Sequence, residues 1–154
     1  MSWKIMRKMT ISAAIAAVAL AASPAHADET RVEVRGGIAW CCGSSDETIG
    51  LAVGHDFDLS SGLFIGVEGV ADTNFDFVDP LLGVNARLGT KLGEKSKLFG
   101  TVGYAYDTGF EDDDLVLGAG YQYNISNRAL VSVQYQRYVD FNVNRASVGV
   151  GYRF

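Results

Sequence analysis

From Arg31 to Phe154, apolar residues alternate with glycine or charge in one stretch after another. "RVEVRGGIAW" puts Val32, Val34, Ile38 and Trp40 on one parity and Arg31, Glu33, Arg35 and Gly37 on the other. "TIGLAVGHDF" opposes Ile49, Leu51, Val53 and Phe57 to Gly50, Ala52, Gly54 and Asp56. The pattern returns in "LFIGVEGVA", "LLGVNARLGTKL", "KLFGTVGYAYD", "LVLGAGYQY", "RALVSVQYQRY" and "RASVGVGYRF". Side chains of a strand point alternately to its two faces, so a period of two predicts strands with one apolar and one polar face. Eight such segments, each of about nine to twelve residues, predict eight strands. Residues 28–154 carry no helical period of useful length.

The connections have a rhythm of their own. "DLSSG" (58–62), "GEKS" (93–96) and "NISN" (124–127) read as tight turns. "CCGSSDE" (41–47), "DTNFDFVDP" (72–80), "TGFEDDD" (108–114) and "DFNVN" (140–144) read as longer connections. Short and long in alternation, with an even strand count, predict an up-and-down antiparallel sheet. Eight strands can close into a barrel and so leave no free edge.

The first residues stand apart. Lys4, Arg7 and Lys8 make a basic start, Ile11 to Ala22 an apolar run, and Ala25-His26-Ala27 a small-residue end. That is the layout of a cleavable secretory signal peptide. The run is too short for a bilayer helix of roughly 20 residues, and Asp28 rather than cysteine follows the cleavage site, against a lipid anchor. The expected organisation is a signal peptide over 1–27 and one domain over 28–154. Cleavage leaves 10 basic against 18 acidic side chains, a charge near −8. That is the wrong sign for a nucleic-acid-binding surface.

Alternation leaves open which face looks outward. A periplasmic lipocalin-like carrier packs its apolar face inward; a membrane barrel turns it to lipid. The polar parity is rich in glycine, interspersed with Glu33, Arg35, Asp56, Glu68, Arg87, Lys91, Asp107 and Arg153. Small residues beside long charged ones suit a narrow interior where every charge needs a partner. On the apolar parity, Trp40, Phe57, Tyr106, Tyr121, Tyr123 and Tyr152 stand at segment ends. A lipid-facing wall carries its aromatic girdles there. The predicted fold class is all-β: an eight-stranded antiparallel up-and-down transmembrane β-barrel, preceded by the signal peptide.

Ser147, Gly149, Tyr152 and Phe154 in "SVGVGYRF" fit a polar-x-Gly-x-x-aromatic-x-aromatic pattern. It resembles the C-terminal β-signal of bacterial outer-membrane barrels. With that signal, residues 28–154 resemble the small outer-membrane β-barrel family that includes the OmpA transmembrane domain, OmpX and Ail, and the opacity-type surface proteins. The resemblance implies an outer-membrane location, with the barrel-assembly machinery, the lipid bilayer and lipopolysaccharide as partners. It implies a non-enzymatic role in envelope integrity or as a surface scaffold, with an external ligand at the outer loops as a further option. No residue follows Phe154 to supply the cell-wall-binding domain of full-length OmpA, and the loops are short beside those of opacity-type adhesins.

Such barrels have short periplasmic turns and longer outer loops, which places both termini in the periplasm and the four longer connections outside. Glu33 is then expected to pair with Arg153 across the closing seam, and Glu68 with Arg87, sealing the lumen. An eight-stranded interior is just wide enough for its own side chains, which speaks against a diffusion pore.

Three constellations invite chemistry. Cys41 and Cys42 are adjacent, with α-carbons about 3.8 Å apart, below the usual disulfide window of roughly 4.4–6.8 Å; a structural or incidental role is expected. "FEDDD" (110–114) lacks the spacing of a calcium loop and reads as a solvated loop tip, so no metal or cofactor is expected. A lipid A-modifying barrel enzyme would need a nucleophile beside a base. His55 is the one histidine after residue 27. It is expected to face lipid at the periplasmic end, with Ser60 and Ser61 in a periplasmic turn.

Overall fold

A computed structural model describes residues 28–59, 62–74 and 79–154. The expected signal peptide, Ser60 and Ser61 lie outside the described residues. The eight alternating segments form eight strands: β1 (Glu29–Cys41), β2 (Ser44–Asp58), β3 (Leu63–Asn74), β4 (Leu81–Leu92), β5 (Ser96–Asp107), β6 (Asp112–Asn124), β7 (Ala129–Tyr138) and β8 (Val143–Arg153). Each pairs antiparallel with the next, and β8 pairs with β1 to close the barrel. Closure satisfies the backbone of every strand on both sides, which hydrocarbon surroundings require.

The strands are staggered. Partners followed once around run Thr30, His55, Val67, Ala86, Val102, Leu117, Arg137, Asn144 and back to Trp40 on β1. The circuit climbs ten residues, from Thr30 to Trp40. With a rise near 3.3 Å per residue and strands about 4.8 Å apart, that shear tilts the strands by about 40°. Ten is even, so each row keeps its parity around the barrel.

Parity then decides burial. Glu29, Arg31, Glu33 and Arg35 of β1 are buried, whereas Val34, Ile38 and Trp40 between and beyond them are exposed. The same inversion runs through Leu51, Ile65, Leu88, Val102, Val133, Val148 and Val150, all exposed. Apolar residues outside and ionised residues inside is the arrangement a bilayer favours and water does not.

The connections differ from the expected rhythm. Residues 41–47 do not form a long loop: Cys41 pairs with Ser44, and Cys42-Gly43 alone make the turn. Both turn residues have positive φ, +56° and +84°, the backbone of a tight two-residue hairpin. Likewise Asp112–Asp114 are the start of β6, paired with Ala105–Asp107. Polar residues continue a strand where a neighbour offers ladder hydrogen bonds. The remaining connections, 75–80, 108–111 and 139–142 at that end and 59–62, 93–95 and 125–128 at the other, overlap in length. We call the first the loop end and the second, which also holds both chain termini, the turn end.

Candidate functional site

The lumen holds the densest chemistry. Near its middle Glu68 accepts from Arg31 Nη2 at 2.6 Å and from Arg35 Nη1 and Nη2 at 2.9 and 2.7 Å. Arg87 Nη1 lies 3.6 Å from the same carboxylate. Arg31 Nη1 also donates to Asp56 at 3.0 Å, and Arg35 Nη2 to Glu33 at 2.5 Å. Lys97 links Asp56, at 3.0 Å, to Glu29, at 3.4 Å. Arg153 Nη2 reaches Glu29 at 2.6 Å where the turn end opens. Four acids and five bases thus form one connected lattice.

Room for this lattice comes from the glycines. A Cβ at Gly54 would stand 2.6 Å from Arg31 Nη2, and one at Gly66 would collide with the Asp56 carboxylate. Neutral groups complete it: Ser132 donates to Glu33 at 2.7 Å, and Gln122 bridges Arg87 and Glu29 at 3.2 and 2.7 Å. Arg87 also stacks on Phe99, its guanidinium carbon 3.8 Å from the ring centre, a cation–π contact that a desolvated lumen strengthens.

Of the two expected pairs, Glu68 and Arg87 come together, although the closer bonds of Glu68 are to Arg31 and Arg35. Glu33 and Arg153 do not meet. Arg153 lies opposite Arg31 in the ladder, and Glu33 opposite Gly151. Arg153 therefore turns to Glu29 at the opening, while Arg31, Arg35 and Ser132 take Glu33. Glu29, Lys97, Asp72 and Arg145 join as partners that the two expected pairs did not include. All four sit on the inward parity, which was their only signal.

Toward the loop end the filling changes. Arg145 grips Asp72 with two hydrogen bonds, 2.5 and 2.9 Å. Beside them Ala105, Val116 and Tyr138 form an apolar cluster against Leu81, Phe141 and Val143. Above these lies a cavity of about 250 Å³, with Asp46, Asp79 and Asp107 on its walls. The expected solvated tip at 110–114 is corrected at Asp112–Asp114, which belong to β6, and most of all at Asp114. Asp114 is buried and accepts the backbone N–H groups of Asp140 and Phe141 at 2.8 and 2.9 Å, anchoring the neighbouring hairpin.

The other singled-out residues fall as follows. Trp40, Phe57, Tyr121, Tyr123 and Tyr152 are exposed on the outer wall, Trp40 at the loop end and the rest toward the turn end; Tyr106, on the same parity, is nearly covered. Ser147 and Gly149 point inward, whereas Tyr152 and Phe154 point outward with their rings 5.0 Å apart. Both cysteines carry free thiols. His55 does not face lipid openly: it is 2 % exposed, against Phe57 at 4.5 Å, with Nδ1 bonded to Thr30 Oγ1 at 2.7 Å and Nε2 3.8 Å from Asp28. Thr30 across the ladder, Phe57 two residues along the same strand and Asp28 before β1 surround the ring, which parity alone does not register. No group of three potential metal ligands converges among the described residues.

Residues 11–154 match the family described as the outer membrane protein beta-barrel domain. The chain belongs to that family. No curated protein matches its sequence. The barrel is similar in fold to a de novo designed transmembrane β-barrel, with TM-score 0.61 and 20% identity, covering 82% of this chain and 95% of the other. It is similar to Ail of Yersinia pestis (0.57, 17%, covering 82% and 98%) and to Neisserial surface protein A (0.58, 13%, covering 85% and 98%). This outer-membrane barrel therefore resides in the outer membrane with its valines and leucines against lipid. Its lumen is filled by ionised and amide side chains, with one apolar cluster toward the loop end, in place of the apolar cavity that a lipocalin-like carrier needs.

Proposed function

We propose that this outer-membrane barrel is a closed, non-enzymatic element of the envelope. It stabilises the membrane it spans and offers its loop end as a surface scaffold. The filled lumen carries this reading: Arg31, Asp56, Glu68 and Arg87 are each at most 1 % exposed at its centre, so a solute has no continuous path. The His55 ring is buried, so the one histidine among the described residues is not open to a substrate. Residues 1–27 act as the signal peptide, Ser147, Gly149, Tyr152 and Phe154 as the assembly signal, and the outward aromatic residues as interface anchors. The loop end faces outward: eight strands put both termini at the turn end, and a chain exported by its signal peptide and inserted from the periplasm leaves that end in the periplasm.

One structure of Ail holds the heparin analogue sucrose octasulfate. Here the loop-end cavity sets Asp46, Asp72, Asp79 and Asp107 against Arg145 alone. That lining repels a sulfated glycan, so a loop-end ligand of this protein is neutral or cationic.

Planar-bilayer conductance of the purified protein tests the closed lumen. The expected record stays at the level of the bare bilayer, and a steady open-pore current overturns the reading. The mass of the mature protein is expected to begin at Asp28. Cys42, exposed at the loop tip, is expected to react with a membrane-impermeant maleimide on intact cells.

A further inference from the structure

We infer that the lipid-facing groove where β1, β8, β7 and β6 adjoin binds one phosphorylated, multiply acylated lipid of the outer leaflet, lipopolysaccharide, with its phosphate on Arg137. The inference rests on the proposed orientation, loop end outward. Arg137 is the one arginine or lysine on the lipid-facing parity of the eight strands. A guanidinium on that face is costly at mid-membrane and tolerated only near the headgroups.

Arg137 is also held in place. Its Nη1 donates to Asn144 Oδ1 at 2.9 Å and its Nη2 to Asn142 Oδ1, while Tyr135 Oη donates to Asn144 at 2.5 Å. Asn142 has φ +54°, a backbone that asparagine tolerates better than most residues. Both partners are neutral acceptors, so they orient the guanidinium without cancelling its charge. A fixed planar fork of N–H donors suits a phosphate.

The ladder places an acyl-chain path directly beneath. Trp40, Asn144 and Arg137 share one row of partners, and one row deeper come Ile38, Ala146, Tyr135 and Ala119. The Trp40 and Tyr135 rings stand 6.2 Å apart at its head. Ala146, Ala119 and Gly36 floor a groove of about 850 Å³. Small side chains under bulky rims give a methylene chain close contact along its length. The cation fits the phosphates of a glycolipid, and the path fits one of its chains.

Native mass spectrometry of the folded protein tests this, with lipid A, phosphate-free lipid A and phosphatidylglycerol as separate probes. Wild type is expected to retain one lipid A per barrel. Arg137→Gln is expected to lower retention about ten-fold, the scale of one charged hydrogen bond. Ala146→Leu, which fills the groove and leaves Arg137 intact, is expected to lower it as well. An unheated-gel mobility shift confirms that each variant is folded. Equal retention by wild type and both variants overturns the site, as does equal retention of phosphate-free lipid A or preference for phosphatidylglycerol. Cys42 unreactive on intact cells overturns the orientation, whereas a labelled Cys42 without lipid A selectivity overturns the site alone.

Discussion

The two halves of the lumen share one wall and one parity yet are filled by different chemistry. From the turn end to the middle, Glu29, Glu33, Asp56 and Glu68 meet Arg31, Arg35, Arg87, Lys97 and Arg153 in a lattice with one excess positive charge. Toward the loop end a single pair, Asp72 with Arg145, sits beside the apolar cluster of Ala105, Val116 and Tyr138. The turns follow the same division. Positive φ is supplied by Gly62 and Gly93 at the turn end, but by Cys42, Asp79, Glu111 and Asn142 as well as Gly43 at the loop end. One wall thus accommodates two fillings, an ionic lattice in one half and an ion pair with an apolar cluster in the other.

Substitutions should separate the halves, most strongly at the centre of the lattice. Glu68→Gln leaves Arg31, Arg35 and Arg87 without their shared carboxylate, and removing one partner of a buried pair costs about 3–5 kcal/mol. Urea unfolding in detergent micelles should show that loss, and combination with Arg87→Met should be non-additive by about 0.5–3 kcal/mol. Strict additivity would mean that the two side chains do not interact. Asp72→Asn, in the loop-end half, should cost less, about 1.5–3 kcal/mol by the same measurement, because Arg145 lines the loop-end cavity, where Asp46, Asp79 and Asp107 still face it. A loss equal to that of Glu68→Gln would erase the distinction between the halves.

Smaller effects sharpen the comparison. Gly54→Ala pushes a methyl group into Arg31 and should cost about 1–3 kcal/mol. Gly100→Ala on the outer wall meets nothing nearer than Gly118 O at 3.7 Å, and should leave the unfolding midpoint unchanged or slightly raised. Cys42→Asn places Asn-Gly in the two-residue turn and should raise stability by less than about 1 kcal/mol. A clear loss there would show that the Cys42 thiol makes a contact of its own.

The particular residues show how far the sequence could be read. Val32, Val34, Ile38 and Trp40 against Arg31, Glu33 and Arg35 sufficed to define the first strand and both its faces, and seven more segments did the same. The ends of strands were less legible. Ser44–Glu47 and Asp112–Asp114 look like loop by composition, yet neighbouring strands draw them into the ladder. Parity alone turns His55 toward lipid, whereas Phe57, Thr30 and Asp28 cover it.

Alternation is a local property of the chain, so strand number and the division into two faces were already determined by residue order. Glycine with charge on one parity against end-of-strand aromatics on the other marked the lipid-facing wall. Partner choice within the lumen was not. Arg153 and Glu29 are 124 residues apart, and Arg31 reaches Glu68 rather than its own ladder neighbour. Those meetings depend on a ten-residue shear that exists only once β8 has closed against β1. The tertiary structure alone decided them, because stagger and tilt are properties of the closed sheet and of no single strand.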